Sequence, residues 1–156
     1  MEVRYQLLEE FRKLFDGEVY RHRSSQNGDR VAYQLYEDLL ALGRSPKLVA
    51  GIAGGSRVIN TKNRVTGKQV RRGDGTFGEA LPHAIAEAVA GYSVGRGPIA
   101  NIELAVETKI LATAIGKQVQ ERVSSLTEQA VVFRNGNPDV ICVALVGINY
   151  APSYLA

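Results

Sequence analysis

Asn101-Ile-Glu-Leu-Ala-Val-Glu-Thr-Lys-Ile-Leu111 reads as a strand, and Ala112-Thr-Ala-Ile-Gly-Lys-Gln-Val-Gln-Glu-Arg-Val-Ser-Ser-Leu126 carries it into a helix. Alternation with period two divides the strand into faces. Ile102, Leu104, Val106, Thr108 and Ile110 form an apolar face, while Glu103, Ala105, Glu107 and Lys109 form the other. The helix is predicted over about 112–130, with Leu111, Ile115, Val119, Val123, Leu126 and Ala130 on one stripe. The turn Asn135-Gly-Asn-Pro138 and an almost wholly apolar strand, 140–148, follow. A helix between two such strands predicts an α/β fold: a central mixed sheet flanked by helices.

Upstream, helices are predicted at 3–15 and about 30–43, with Asp29 as the cap of the second. Gly43 ends that helix and Pro46 is expected to prevent a restart. Gly51–Ser56 reads as a glycine-rich turn. Residues 57–60 and 68–71 read as two short strands of a hairpin, and about 79–90 as a third helix. The expected organisation is a single domain over 1–156, with a helical part at 1–50 and a sheet-bearing core at 57–148.

The chain has 156 residues, 45% hydrophobic and 22% charged, which excludes a disordered or collagen-like class. A single cysteine, Cys142, excludes a disulfide scaffold and a cysteine zinc site. No apolar run is long enough to cross a membrane and no signal-peptide core begins the chain. A soluble, cytoplasmic protein is expected. The net charge of +3 is small, but its distribution is not even. Arg57, Lys62, Arg64, Lys68, Arg71 and Arg72 follow one another with no acid before Asp74. Such a strip can track a polyanion backbone.

The charged face of the 101–111 strand carries the candidate chemistry. An interior strand needs partners or a metal for its charges, because burying them alone is costly. Carboxylates bind Mg²⁺ through oxygen, and the ion can activate water toward a phosphodiester. Lys109 can hold that water or offset charge on the phosphate. Glu107 is the first ligand, and Asp74 is the first choice for a second. Glu103 lies four residues back, about 13 Å along a strand at about 3.3 Å per residue. Glu79, His83 and Glu87 would share one face of the third helix.

A strand ending in E-x-K and leading into a helix with Lys117 and Gln118 near its start resembles the PD-(D/E)xK nuclease superfamily, to which restriction endonucleases belong. The resemblance covers roughly 70–148. It implies a restriction-endonuclease-like sheet and a Mg²⁺-dependent endonuclease, with Mn²⁺ able to substitute. Glu107 and Lys109 map directly onto E-x-K. The family's Asp stands on a preceding strand. Asp74 takes that place at 33 residues before Glu107, with Glu103 and a helix-borne Glu79 as further metal-site carboxylates. Gln118 and Lys117 would reach the water or the scissile phosphate. The basic segment would hold DNA, and cleavage of both strands would call for a homodimer. Two other functions fit the same residues: a catalytically inactive DNA-binding module, and a nucleotide-binding domain using the glycine-rich loop at 51–56.

Overall fold

The structure is a computed structural model. It describes residues 5–18, 25–60, 64–65, 68–69, 75–111 and 115–149, and the side chains of 25–28, 64–65, 68–69, 115 and 117 are outside the description. Three helices come first: α1 (Gln6–Phe15), α2 (Ser25–Leu42) and α3 (Pro46–Ala53). The strands are β1 (Arg57–Asn60), β2 (Arg64–Val65), β3 (Lys68–Gln69), β4 (Gly75–Ala80), β5 (Arg96–Gly97), β6 (Ile99–Leu111) and β7 (Ile141–Ile148), with α4 (Ile115–Gly136) between the last two. A five-stranded mixed sheet has the order β5-β1-β4-β6-β7, and β2-β3 form a separate ribbon. β4 is antiparallel to both β1 and β6, whereas β7 runs parallel to β6.

Helices cover both faces, as expected of a sheet with a parallel crossover. On one face Tyr33 and Tyr36 of α2 and Ile52 of α3 pack with Ile59, Phe77 and Val106. On the other, Phe133 of α4 packs with Val58, Ile99, Ile102 and Ala105. Tyr36 is fully buried and stacks on Phe77 at 4.6 Å. Its hydroxyl donates to the Gly75 carbonyl at 3.1 Å, which ties α2 to the start of β4. Burial without a nearby cation pushes that phenol's pKa far up. The Asp38 carboxylate of α2 accepts from the Gln6 and Leu7 amides, at 2.8 and 2.9 Å, and so caps α1.

Several local expectations change. Pro46 starts α3 rather than blocking a helix, because proline suits the first turn and Ser45 accepts from the Leu48 amide. Gly51, Ile52 and Ala53 are therefore helical. α2 begins at Ser25, which puts Asp29 inside it rather than at its cap. β1 pairs with β4 and β5, and Lys68–Gln69 pair instead with β2 in a separate ribbon. α4 continues through Val131-Val132-Phe133 to Gly136.

The helix expected at 79–90 is absent. Glu79 and Ala80 end β4, and Glu87 exchanges two backbone hydrogen bonds with Arg96, at 2.7 and 2.8 Å. His83 has φ of 66°, which no right-handed helix accommodates. The alanine-rich stretch has helix propensity, but the ladder and the β5 bridge claim its backbone. Glu79, His83 and Glu87 thus share no helix face.

Strict alternation also fails in β6. Phe77 pairs with Leu104 but Gly78 pairs with Ile102, which leaves Glu103 as an extra residue. Glu79 pairs with Asn101 and Ala80 with Ile99, which leaves Ala100 as another. Each insertion reverses which face the following residues present. Ile102 therefore packs beneath α4 with Ala105, not with Leu104 and Val106. Gly78 makes this possible: a Cβ there would lie 1.9 Å from the Asn101 carbonyl oxygen. Asn137, just after α4, donates to the Ile102 carbonyl at 2.8 Å and ties the irregular segment to the helix end.

Gly78→Ala is expected to lower the unfolding free energy by about 2–3 kcal/mol, since the clash is with backbone. Gly116→Ala, where nothing lies within 4 Å of a Cβ, should raise it by about 0.5–1 kcal/mol. Urea unfolding curves measure both, and equal tolerance at the two positions would contradict the bulge account.

Candidate functional site

Two charged clusters lie on β6, and the bulge separates them. Glu103 belongs to the side of α3. It accepts from both Arg57 Nε and an Arg57 terminal nitrogen at 3.1 Å, a forked contact, and from Lys47 of α3 at 2.7 Å. The Arg57 chain runs against Gly51, where a Cβ would fall 2.2 Å from its Cδ. The hydrogen bond from Arg57, helped by Lys47, holds the Glu103 carboxyl below the usual range. Its own bond to Glu103 raises Arg57 in turn.

Glu107 and Lys109 lie on the opposite side, toward α4. Both pair in parallel with β7, opposite Ala144 and Val146, and lie just beyond the last antiparallel pair with β4, Gly75–Val106. Lys109 donates to Glu107 in a close ion pair, and both side chains are mostly buried. Glu107 lines a cleft of about 300 Å³ between α4 and the sheet. Ala105, Cys142 and Ala144 form its floor, and Leu126, Ala130 and Phe133 come from the helix. Small residues on the floor leave the space that larger ones would fill.

The remaining sequence-predicted residues fall as follows. Asp74, Lys62, Arg71 and Arg72 lie outside the described residues. Arg64 and Lys68 are on the β2-β3 ribbon, and β2 packs against β6. Gln118 sits half-buried in the first turns of α4, before the helix residues that line the cleft begin at Val123. Lys117 is in the same turn. Glu79 is in register with Arg57 and Asn101, six residues along β6 from Glu107. Glu103 and Glu79 are thus not brought to Glu107, and Arg57 is committed to Glu103 rather than to the basic strip. The insertion at Glu103, not distance along the strand, is what removes it from the shared face.

Sequence reasoning missed Thr76. It is directly opposite Ala105 in the ladder and therefore shares the α4 side with Glu107. It is 3% exposed, and its hydroxyl has no hydrogen-bond partner among the described residues. Only the register of β4 on β6 discloses this, since a Thr in mid-strand carries no signal of its own.

Among the described residues no group of three or more His, Cys, Asp or Glu side chains is close enough to hold a metal. No described helix is long and apolar enough to cross a membrane. The glycine-rich turn after α3 uses its amides internally: Gly54 donates to Ala50 and Gly55 to Ile52, at 2.9 and 3.0 Å. Those amides are not presented to a phosphate. No family model, curated protein or solved structure matches the chain.

Glu103→Gln tests the structural cluster. Because the folded carboxyl titrates below its ordinary value, its contribution is present above about pH 4.3 and fades as pH falls through the lowered folded value. Denaturation from pH 7 to pH 3 should show the wild type more stable than the variant at neutral pH, with the two converging in acid. A gap that does not narrow would contradict the pairing.

Proposed function

We propose that the chain is a divalent-metal-dependent nuclease that hydrolyses DNA phosphodiesters, with a restriction-endonuclease-like arrangement of its sheet. The observation that carries this reading is the register of β4 on β6. The two strands are antiparallel neighbours, and their pairing ends at Gly75–Val106. In sequence Asp74 immediately precedes Gly75, and Glu107 follows Val106. The resemblance implies an Asp on a preceding strand and E-x-K on the next, and in sequence Asp74 directly precedes the first residue of β4. The 32 residues between Asp74 and Glu107 hold no helix, so the helix expected at 79–90 does not intervene.

The donors suit a hard cation. Glu107 offers carboxylate oxygens, Asp74 is the second ligand in this reading, and an unsatisfied hydroxyl at Thr76 lies on the same side of the sheet. A bound Mg²⁺ or Mn²⁺ would supply Lewis acidity and an activated water. Lys109 is ion-paired with Glu107, and in this reading its ammonium would hold the attacking water or offset charge on the phosphate. The β2-β3 ribbon, with Arg64 and Lys68, lies against the strand that bears the pair and provides a basic approach for the DNA backbone. Two strands of duplex require two sites, so the active species in this reading is a homodimer.

Nicking of supercoiled plasmid in Mg²⁺ or Mn²⁺ tests this. Lys109→Ala and Glu107→Gln should each lower the rate by about 100-fold or more, the scale of a lost general catalyst, while DNA affinity stays within about threefold. Arg64→Ala with Lys68→Ala should weaken binding and flatten its salt dependence. A wild type that binds DNA but never nicks it would replace this reading with the inactive binding module. Unchanged nicking by Lys109→Ala would remove the pair from the chemistry.

A further inference from the structure

We propose that the outer edge of β7 pairs with β7 of a second copy of this chain, antiparallel about a two-fold axis, so that two sheets join into one. The inference is independent of the nuclease reading, which calls for two copies but names no surface.

The two edges of the sheet are unlike. β5 ends one side with only two residues, carries Arg96 and is bridged by Glu87. Short, charged edges of this kind resist pairing with other chains. β7 ends the other side with eight residues in unbroken register with β6. From Val140 to Asn149 there is no charge and no proline. Among the described residues none pairs with its outer edge. Asn149 donates its amide to the Leu111 carbonyl at 2.8 Å, which fixes the alternation of the backbone groups. Val143, Leu145 and Gly147 therefore turn theirs toward β6, and Cys142, Ala144, Val146 and Ile148 turn theirs outward.

Exposed apolar side chains gather around this edge on both faces. On the side of α4, Val146 and Ile148 are exposed. So are Val123, which lines the cleft with Ala144, and Val119 one turn before it. On the other side Leu8, Phe11 and Phe15 form one stripe of α1. Phe11 lies against Gly147, where a Cβ would fall 2.8 Å from its ring, and Leu8 and Phe15 are exposed.

The occupant must therefore offer an uncharged strand edge between two apolar flanks, and β7 itself offers one. A two-fold axis normal to the sheet keeps both α4 helices on one side and both α1 helices on the other, so each flank meets its own kind. Directly opposed residues share a face. The longest register that satisfies this sets Cys142 opposite the partner's Ile148 and Ala144 opposite the partner's Val146. All the outward backbone groups of β7 then find partners, and no like charges meet. The strip is about 26 Å long at about 3.3 Å per residue, and about 30 Å deep with a helix about 10 Å thick on either side of the sheet. That footprint is close to the about 800 Å² per partner of a stable interface.

Sedimentation equilibrium of the full chain tests the inference, at about 1 to 100 μM, where the weaker interfaces of this size dissociate. The wild type should form particles of two chains at the top of that range. Val146→Pro should remain one chain with unchanged circular dichroism, because proline removes only an outward amide at an exposed position of an edge strand. Ile148→Cys places a thiol opposite the partner's Cys142, at a Cα separation of about 5.5 Å, which a disulfide spans. Mild oxidation should convert most of this variant to a covalent dimer on a non-reducing gel. The wild type, with Cys142 as its single cysteine, should not cross-link, since the two copies of that residue lie apart in this register. A wild type that stays one chain at the highest concentration would overturn the inference. So would a folded Val146→Pro that still dimerises, or a dimeric Ile148→Cys that does not cross-link. If Val146→Pro does not fold, the cross-link alone decides. Plasmid nicking is read separately, so loss of this interface leaves the nuclease reading to its own test.

Discussion

The close approach of Gly78 to the Asn101 carbonyl determines what β6 can present. A side chain at Gly78 would occupy the space of that oxygen. Because there is none, β6 carries two extra residues against β4, at Ala100 and Glu103. Each reverses the alternation, and the net effect divides the acids of one strand between two faces. Ile99 and Ile102 go beneath α4 with Phe133, and Glu103 goes to Arg57 and Lys47. Beyond the bulge the ladder is regular, so Thr76, Ala105 and Glu107 share a side.

The two ion clusters have different physical roles. Arg57 and Glu103 are mostly buried and bonded through a fork, so each desolvated charge is compensated by a partner of fixed geometry. Lys47 is largely exposed and adds little, as surface pairs do. This cluster joins α3, β1 and β6. Glu107 and Lys109 are neighbours on one strand, and their mutual ion pair lies within β6. Glu107 lines the cleft between α4 and the sheet, beside Leu126, Ala130 and Phe133 of the helix.

The fold class was legible because its signals are local and long. The alternation of 101–111, the helical run after it and the apolar 140–148 stretch each exceed what a turn can mimic, and together they require a parallel crossover. The E-x-K pair was legible for the same reason, lying in the regular part of the strand. Glu103 was misplaced because a bulge depends on Gly78 of another strand, which no reading of β6 alone contains. The helix expected at 79–90 failed because alanine propensity is weak against a committed ladder. Thr76 was invisible because its neighbours are set by register, and register is a tertiary property.

In the proposed function the bulge leaves Glu107, and not Glu103, to bind the divalent cation. Electron paramagnetic resonance of free Mn²⁺ during titration into wild type, Glu107→Gln and Glu103→Gln tests it most directly, since it counts bound ion without reference to cleavage. Glu107→Gln is expected to lose Mn²⁺ binding by about tenfold or more, while Glu103→Gln binds as the wild type does at pH 7. Loss of binding in Glu103→Gln with Glu107→Gln unaffected would contradict it.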